Sequence, residues 1–162
     1  GSTREYEVSE DITGLDKEIG PAGLLKGKLR FLHAGRYNIL VTGALMVPLR
    51  LTCSRCLEPT VQMIEIKLEE EFKATVDVNT GVHLHWGEDV EGCNLIDSSH
   101  ILDLTEVVRQ NILVSIPMKI LCRPDCAGLC PHCGHNLNEG PCGCEVEEID
   151  PRWAALKELL NV

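Results

Sequence analysis

The sequence predicts an α+β fold: an antiparallel β-meander of three or more strands packed with two helices, plus a C-terminal cysteine-rich loop region. Three observations carry this reading. Apolar residues recur at every second position from Leu24 to Phe72, two later stretches carry helix-start signals, and residues 120–148 are rich in Cys, Gly, Pro and Asn with no period. At 162 residues the chain is read as one domain, 1–162, large enough to bury an apolar core without help from metal.

Residues 1–22 are polar and acidic, with Val8, Ile12, Leu15 and Ile19 scattered among them. They read as an N-terminal arm, either an edge strand or a loosely docked segment. The meander spans 23–74. Leu25, Gly27, Leu29 and Phe31 share one face of its first strand, and Lys26, Lys28 and Arg30 share the other. After a turn at His33–Arg36, a long strand sets Tyr37, Ile39, Val41, Leu45, Val47, Leu49 and Leu51 on one face. Gly43 and Pro48 predict a bend or bulge there and an edge position. A third strand alternates Ile64, Ile66, Leu68 and Phe72 with Glu65, Lys67, Glu69 and Glu71. Residues 75–100 read as a long surface loop with room for one short strand. Asp103, with Glu106 three positions on, predicts a capping box for a helix over 101–117, stapled by Ile101 and closed by Pro117. Asp150-Pro151 predicts a last helix, 150–161, packing through Trp153, Leu156, Leu159 and Leu160.

The composition excludes several classes. No apolar run is long enough to cross a bilayer and no signal-peptide pattern opens the sequence. A net charge of −10 disfavours unspecific attraction to nucleic acid or anionic lipid, so binding there needs a local basic face. No Gly-rich phosphate loop, nucleophile elbow or paired-carboxylate signature is present. The chain is therefore expected not to be an enzyme and to take no small-molecule substrate.

Nine cysteines are the unusual feature. Nine is odd, and gaps of one or two residues are poor disulfide geometry, so reduced thiols holding metal in a cytoplasm-type compartment are expected. Cys130-Pro131-His132-Cys133-Gly134 lets one turn present two thiolates, and Cys142-Gly143-Cys144 supplies a second pair. A redox pair usually sits where a strand meets a helix, whereas this one sits in a Gly- and Pro-rich loop. Cys53-Ser54-Arg55-Cys56 falls between two strands, where a metal knuckle can replace a hairpin turn, and Cys122 with Cys126 complete it. Two zinc ions are expected, one on Cys53, Cys56, Cys122 and Cys126 and one on Cys130, Cys133, Cys142 and Cys144. The alternative gathers Cys122, Cys126, Cys130 and Cys133 at one ion. Four protein ligands leave no position for water, so the zinc is structural. Cys93 remains as a free thiol, and His83 and His85 read as loop residues.

These pieces together resemble the YceD family of large ribosomal RNA subunit accumulation proteins. The resemblance runs from about Gly27 to Leu160 and is carried by Leu51–Pro59, the acidic run ending in Phe72, Ile101–Leu104, Ile116-Pro117, Leu121-Cys122, Asp125–Gly134, Asn136–Asn138, Cys142–Cys144 and Asp150–Arg152. It implies a protein of the bacterial cytoplasm, or of a plastid if the source is a plant. The implied role is non-catalytic support of large-subunit ribosomal RNA, with ribosomal RNA or a ribosomal or assembly protein as partner. Asn111 departs from the pattern, which has an acidic residue there. The candidate contact residues are Lys26, Lys28, Arg30, Arg50 and Arg55, from the stretch Leu24–Cys56 that holds no acid, joined by Arg123 near the expected first zinc. The competing reading pairs them with the acids of Leu57–Glu91 across the sheet. A protein-interaction adaptor without RNA contact is the alternative function.

Overall fold

The computed structural model describes residues 2–87 and 90–144. One sheet contains β1 (Thr3–Glu10), β2 (Leu25–His33), β3 (Asn38–Thr52), β4 (Pro59–Ala74) and β5 (Leu95–Ile96), in that spatial order, and α1 (Thr105–Ser115) follows. β1 to β4 are antiparallel neighbours, but β5 runs parallel to β4 through Lys73–Leu95 and Ala74–Ile96. The expectation of an antiparallel meander packed with two helices is thereby corrected. The sheet is mixed and five-stranded, and the described residues contain a single short helix. The expected helix 150–161 lies outside them.

Alternation decides which face is buried. Val41, Leu45, Val47 and Leu49 of β3 are fully buried beside Leu25 and Leu29 of β2 and Ile64, Ile66, Leu68 and Phe72 of β4. The helix adds Val107, Val108 and Ile112 to the same core. The intervening residues, Lys26, Lys28 and Arg30 on β2 and Glu65, Lys67 and Glu69 on β4, face solvent. Gly27 and Gly43 allow the two strands to approach closely. A Cβ at Gly27 would overlap the carbonyl oxygen of Ala44, and one at Gly43 that of Lys28.

β3 is central, contrary to the edge position expected from Pro48. The proline is tolerated because β2 pairing stops at Met46, and residues 20–22 take over beyond it. There Ala22 N–H donates to Pro48 O at 2.7 Å and Arg50 N–H to Gly20 O at 2.7 Å, while the ring nitrogen lacks a proton to satisfy. The capping box is likewise absent. Asp103 Oδ1 accepts from Thr105 N–H at 2.8 Å, which starts the helix later than expected, and Leu104 occupies the cap without a side-chain bond. Glu106 instead pairs with Arg109 at 2.6 Å, and Arg109 reaches Asp16 at 2.8 Å. Ile101 is 60% exposed rather than stapling the helix. The Asp16–Arg109 pair fastens the segment after β1 to α1, with Ile12 and Ile19 buried alongside.

Candidate metal centres

The link from β3 to β4 is not an ordinary hairpin. Cys53 N–H donates to Glu58 O at 2.9 Å, and Leu57 N–H donates back to Cys53 O at 3.0 Å. The same two bonds recur downstream, where Cys130 N–H donates to His135 O at 2.8 Å and Gly134 N–H to Cys130 O at 2.9 Å. In each, the residue after the second cysteine takes a positive φ, +61° at Leu57 and +73° at Gly134. Two C-x-x-C segments thus adopt one knuckle, which turns both sulfurs and several backbone N–H groups toward a common point. Gly134 meets this need at no steric cost, and Leu57 meets it under strain.

Each knuckle is completed by a second cysteine pair. Ser54 N–H donates to Ile120 O at 2.8 Å, Ser54 Oγ accepts from Ile120 N–H at 3.2 Å, and Gln62 Nε2 donates to Leu121 O at 2.8 Å. These bonds lay residues 120–122 along the first knuckle. Cys56 Sγ then lies 3.6 Å from Cys122 Sγ, and Cys53 Sγ lies 3.8 Å from Cys126 Sγ. All four sulfurs lie within 4.8 Å of one another, as do those of Cys130, Cys133, Cys142 and Cys144. A tetrahedral ion with sulfur at about 2.3 Å needs sulfur–sulfur edges of about 3.8 Å, so the donors fit a four-thiolate ion. The grouping mixing Cys122 and Cys126 with Cys130 and Cys133 is not the one the fold assembles. Cys53, Cys56 and Cys126 are buried under Leu121 and Leu129, while Cys122 and Cys133 reach the surface.

The electrostatics ask for a cation. The Cys56 N–H, pointing at the Cys53 sulfur, is the largest influence drawing that thiol down to about 6. Hydrogen bonds from the Cys133 and then the His132 N–H draw Cys130 down to about 6 as well. Within the same quartets burial pushes Cys122 up to about 12, and the bond it shares with Cys133 pushes Cys144 up to about 12. Four thiols so close cannot all ionise unaided, because each thiolate raises its neighbours; a divalent cation removes that conflict.

Outer residues brace the centres, a role the sequence reading did not assign to them. Arg55 Nη1 donates to Cys126 O at 2.7 Å and Arg55 O accepts from Leu129 N–H at 3.2 Å, so one residue of the first knuckle holds the start of the second. Asn138 Nδ2 donates to Cys126 Sγ at 3.3 Å. The signals for Asn138 were its place in the family-like segment Asn136–Asn138 and its position between two cysteine pairs. For Leu57 it was its position after Cys56, matching Gly134 after Cys133.

The six candidate basic residues separate. Lys28 pairs with Glu7 at 3.0 Å and Arg30 with Glu5 at 3.4 Å, so the neutralising acids come from β1 rather than from β4. Arg55 and Arg123 gather about Cys126, with Arg123 bonded to Asn138 at 2.7 Å and facing Asp125 at 3.6 Å. Lys26 and Arg50 lie on the solvent face of β2 and β3, where Arg50 also donates to Pro21 O at 3.1 Å. Cys93 falls in the 3-10 turn Gly92–Asn94, and His83 bridges Val76 in the surface loop.

Fold and site together define a sheet protein carrying two four-cysteine centres able to hold metal. The family model described as large ribosomal RNA subunit accumulation protein YceD matches residues 41–160. The chain belongs to the YceD family, which is named for RNA accumulation rather than for a reaction. Among relatives, an uncharacterized protein of Mycobacterium tuberculosis is 36% identical over 127 residues, covering 76% of this chain and 56% of its own length. The uncharacterized protein YlbN of Bacillus subtilis is 28% identical, covering 77% of this chain and 66% of its own length. The chloroplastic large ribosomal RNA subunit accumulation protein YCED homolog 1 of Arabidopsis thaliana is 26% identical, covering 75% of this chain and 44% of its own length. The chain thus spans a little over half the length of the mycobacterial relative. No solved structure matches it. No helix among the described residues is long and apolar enough to cross a membrane.

Proposed function

We propose that this chain is a non-catalytic zinc-binding module of the bacterial cytoplasm that supports accumulation of large-subunit ribosomal RNA by binding RNA or a ribosomal or assembly protein. The observation that carries the reading is the pair of closed cysteine quartets. With four sulfurs per centre, an ion is fully coordinated and has no position for an activated water, which suits a structural pin rather than a catalytic metal. Zinc is favoured over other divalent ions because an all-thiolate, tetrahedral donor set suits it.

Recognition then falls to the surface. On the solvent face of β3 and β4, Met46, Val61 and Met63 are 47%, 59% and 58% exposed, and cross-strand pairing puts Met63 beside Pro48 and Val61 beside Arg50. Lys26, paired with Met46, and Arg50 bound this apolar patch. An exposed apolar patch with cationic edges suits a macromolecular partner carrying phosphate. The test is purification from lysate before and after nuclease, repeated with Lys26→Ala/Arg50→Ala. Large-subunit RNA is expected to travel with the wild type, and the variant to flatten the salt dependence of RNA affinity by about 1.4–1.8 log–log units. Unchanged affinity and slope would remove these two residues from the RNA contact.

A second reading, a protein-interaction adaptor without RNA contact, is favoured by the net charge of −10 and by the commitment of Lys28 and Arg30 to Glu7 and Glu5. Partners that survive nuclease treatment without any RNA would select it.

A further inference from the structure

Asn138 belongs by sequence to the second centre, in the stretch between Cys133 and Cys142, yet its side chain serves the first. Its Oδ1 accepts from Ala127 N–H at 2.8 Å and from Arg123 Nη2 at 2.7 Å. Both partners are donors only, so the amide orientation is fixed, and Nδ2 must face Cys126 Sγ at 3.3 Å and Asn136 Oδ1 at 2.8 Å. What places Asn138 there is the second knuckle. Leu137 N–H donates to Gly128 O at 2.9 Å, Leu129 bridges Asn136, and Cys130 N–H donates to His135 O at 2.8 Å. The hairpin that carries Cys130 and Cys133 therefore folds Asn138 back onto Cys126, four residues before Cys130.

We propose that Asn138 is a positioning residue that couples the two metal centres, so that loading the Cys130/Cys133/Cys142/Cys144 quartet tightens metal binding at the Cys53/Cys56/Cys122/Cys126 quartet. This rests on the reading that both quartets hold ions. With the second quartet loaded, the chain on either side of Asn138 is pinned and the amide is held against Cys126. With it empty, the hairpin loses that pin, and the first quartet loses an N–H donor that orients one ligand. The coupling is reciprocal: loading the first quartet must favour loading of the second by the same factor.

The experiment uses the full chain with Cd²⁺ as probe. Its NMR signal separates the two centres, and competition with a chelator gives the affinity of each. With the second quartet intact, Asn138→Ala is expected to weaken the first centre by about 10- to 100-fold while two ions still bind. In the Cys142→Ser/Cys144→Ser background, the first centre is already weaker, and adding Asn138→Ala changes it by less than about threefold, because the pinned contact is already gone. Asn138→Asp keeps the oxygen that serves Ala127 and Arg123 but turns an acceptor toward Cys126 and Asn136, so it should weaken the first centre at least as much as Asn138→Ala. Equal weakening by Asn138→Ala in both backgrounds, or none in either, overturns the coupling while leaving both metal centres standing. A wild-type chain that binds no ion overturns the metal reading and the coupling together.

Discussion

Cys56→Ser should destabilise the chain far more than its single lost atom suggests, because the first centre ties two distant parts of the chain. Cys56 and Cys122 are 66 positions apart, and their sulfurs lie 3.6 Å from each other. Treating the ion as a crosslink, release of a loop of that length gives the unfolded chain about 4 kcal/mol of additional entropy at 25 °C. For a chain of this size that corresponds to a fall in Tm of about 8–16 °C. The second centre closes a much shorter loop, from Cys130 to Cys142. Its closure entropy is smaller by about 1.5 kcal/mol, so Cys142→Ser should cost less than Cys56→Ser. Calorimetry of the zinc-loaded proteins, with zinc counted in each sample, provides the assay. Each variant should lose one ion, with Cys56→Ser showing the larger fall. A Cys56→Ser protein that keeps two ions, or melts within 2 °C of wild type after losing one, refutes the reasoning.

Leu57→Gly should leave zinc content at its wild-type value and raise stability by up to about 1 kcal/mol, since glycine adopts the +61° φ without strain and the leucine is 63% exposed; thermal melts check it, and a loss of more than 1 kcal/mol contradicts the knuckle geometry. Phe72→Ala should cost about 3–5 kcal/mol by denaturant titration, because the ring is fully buried where β4 meets the core. The acid limb of stability should depend on Arg109. The Glu18 N–H and then Arg109 hold Asp16 below the usual carboxylate range, and Arg109 and then Gln110 do the same for Glu106. Depressed carboxylates contribute stability that is complete above their unfolded pKa, about 4, and is lost as pH falls through the lower folded values. Arg109→Met should therefore lower stability at pH 7 and flatten its fall below pH 5, as read from urea midpoints across pH; an unchanged slope contradicts the assignment.

How much of this was legible depended on how locally each feature is encoded. The alternation of Leu25 and Leu29, of Val41 to Leu49 and of Ile64 to Phe72 is a period-two signal that survives in any context, and those strands stand where it put them. The arm was ambiguous because Tyr6 and Val8 are the only large apolar residues alternating with Glu5 and Glu7. Its role as an edge strand that neutralises Lys28 and Arg30 follows from register, which no short window contains. β5 has two residues and pairs in parallel across a long loop, so no pattern announces it. Pro48 misled because a proline excludes a neighbour only on the side its nitrogen faces, and there the neighbour changes from β2 to residues 20–22. The capping box failed because Asp103 satisfies Thr105 directly and Arg109 captures Glu106. At the centres, cysteine spacing carried the clustering, since a C-x-x-C turn is local. Arg55 and Asn138 act through bonds to Cys126 across 71 and 12 positions, and their residue types alone carry no such information.

The most direct test is to count zinc and reactive thiols on the same purified, folded sample. Two zinc ions per chain are expected, with the eight quartet cysteines shielded from a thiol reagent until a strong chelator removes the metal and melts the 120–144 segment. A chain that stays folded without metal, keeps its Tm through exhaustive chelation and offers all eight thiols freely would contradict the account at its base.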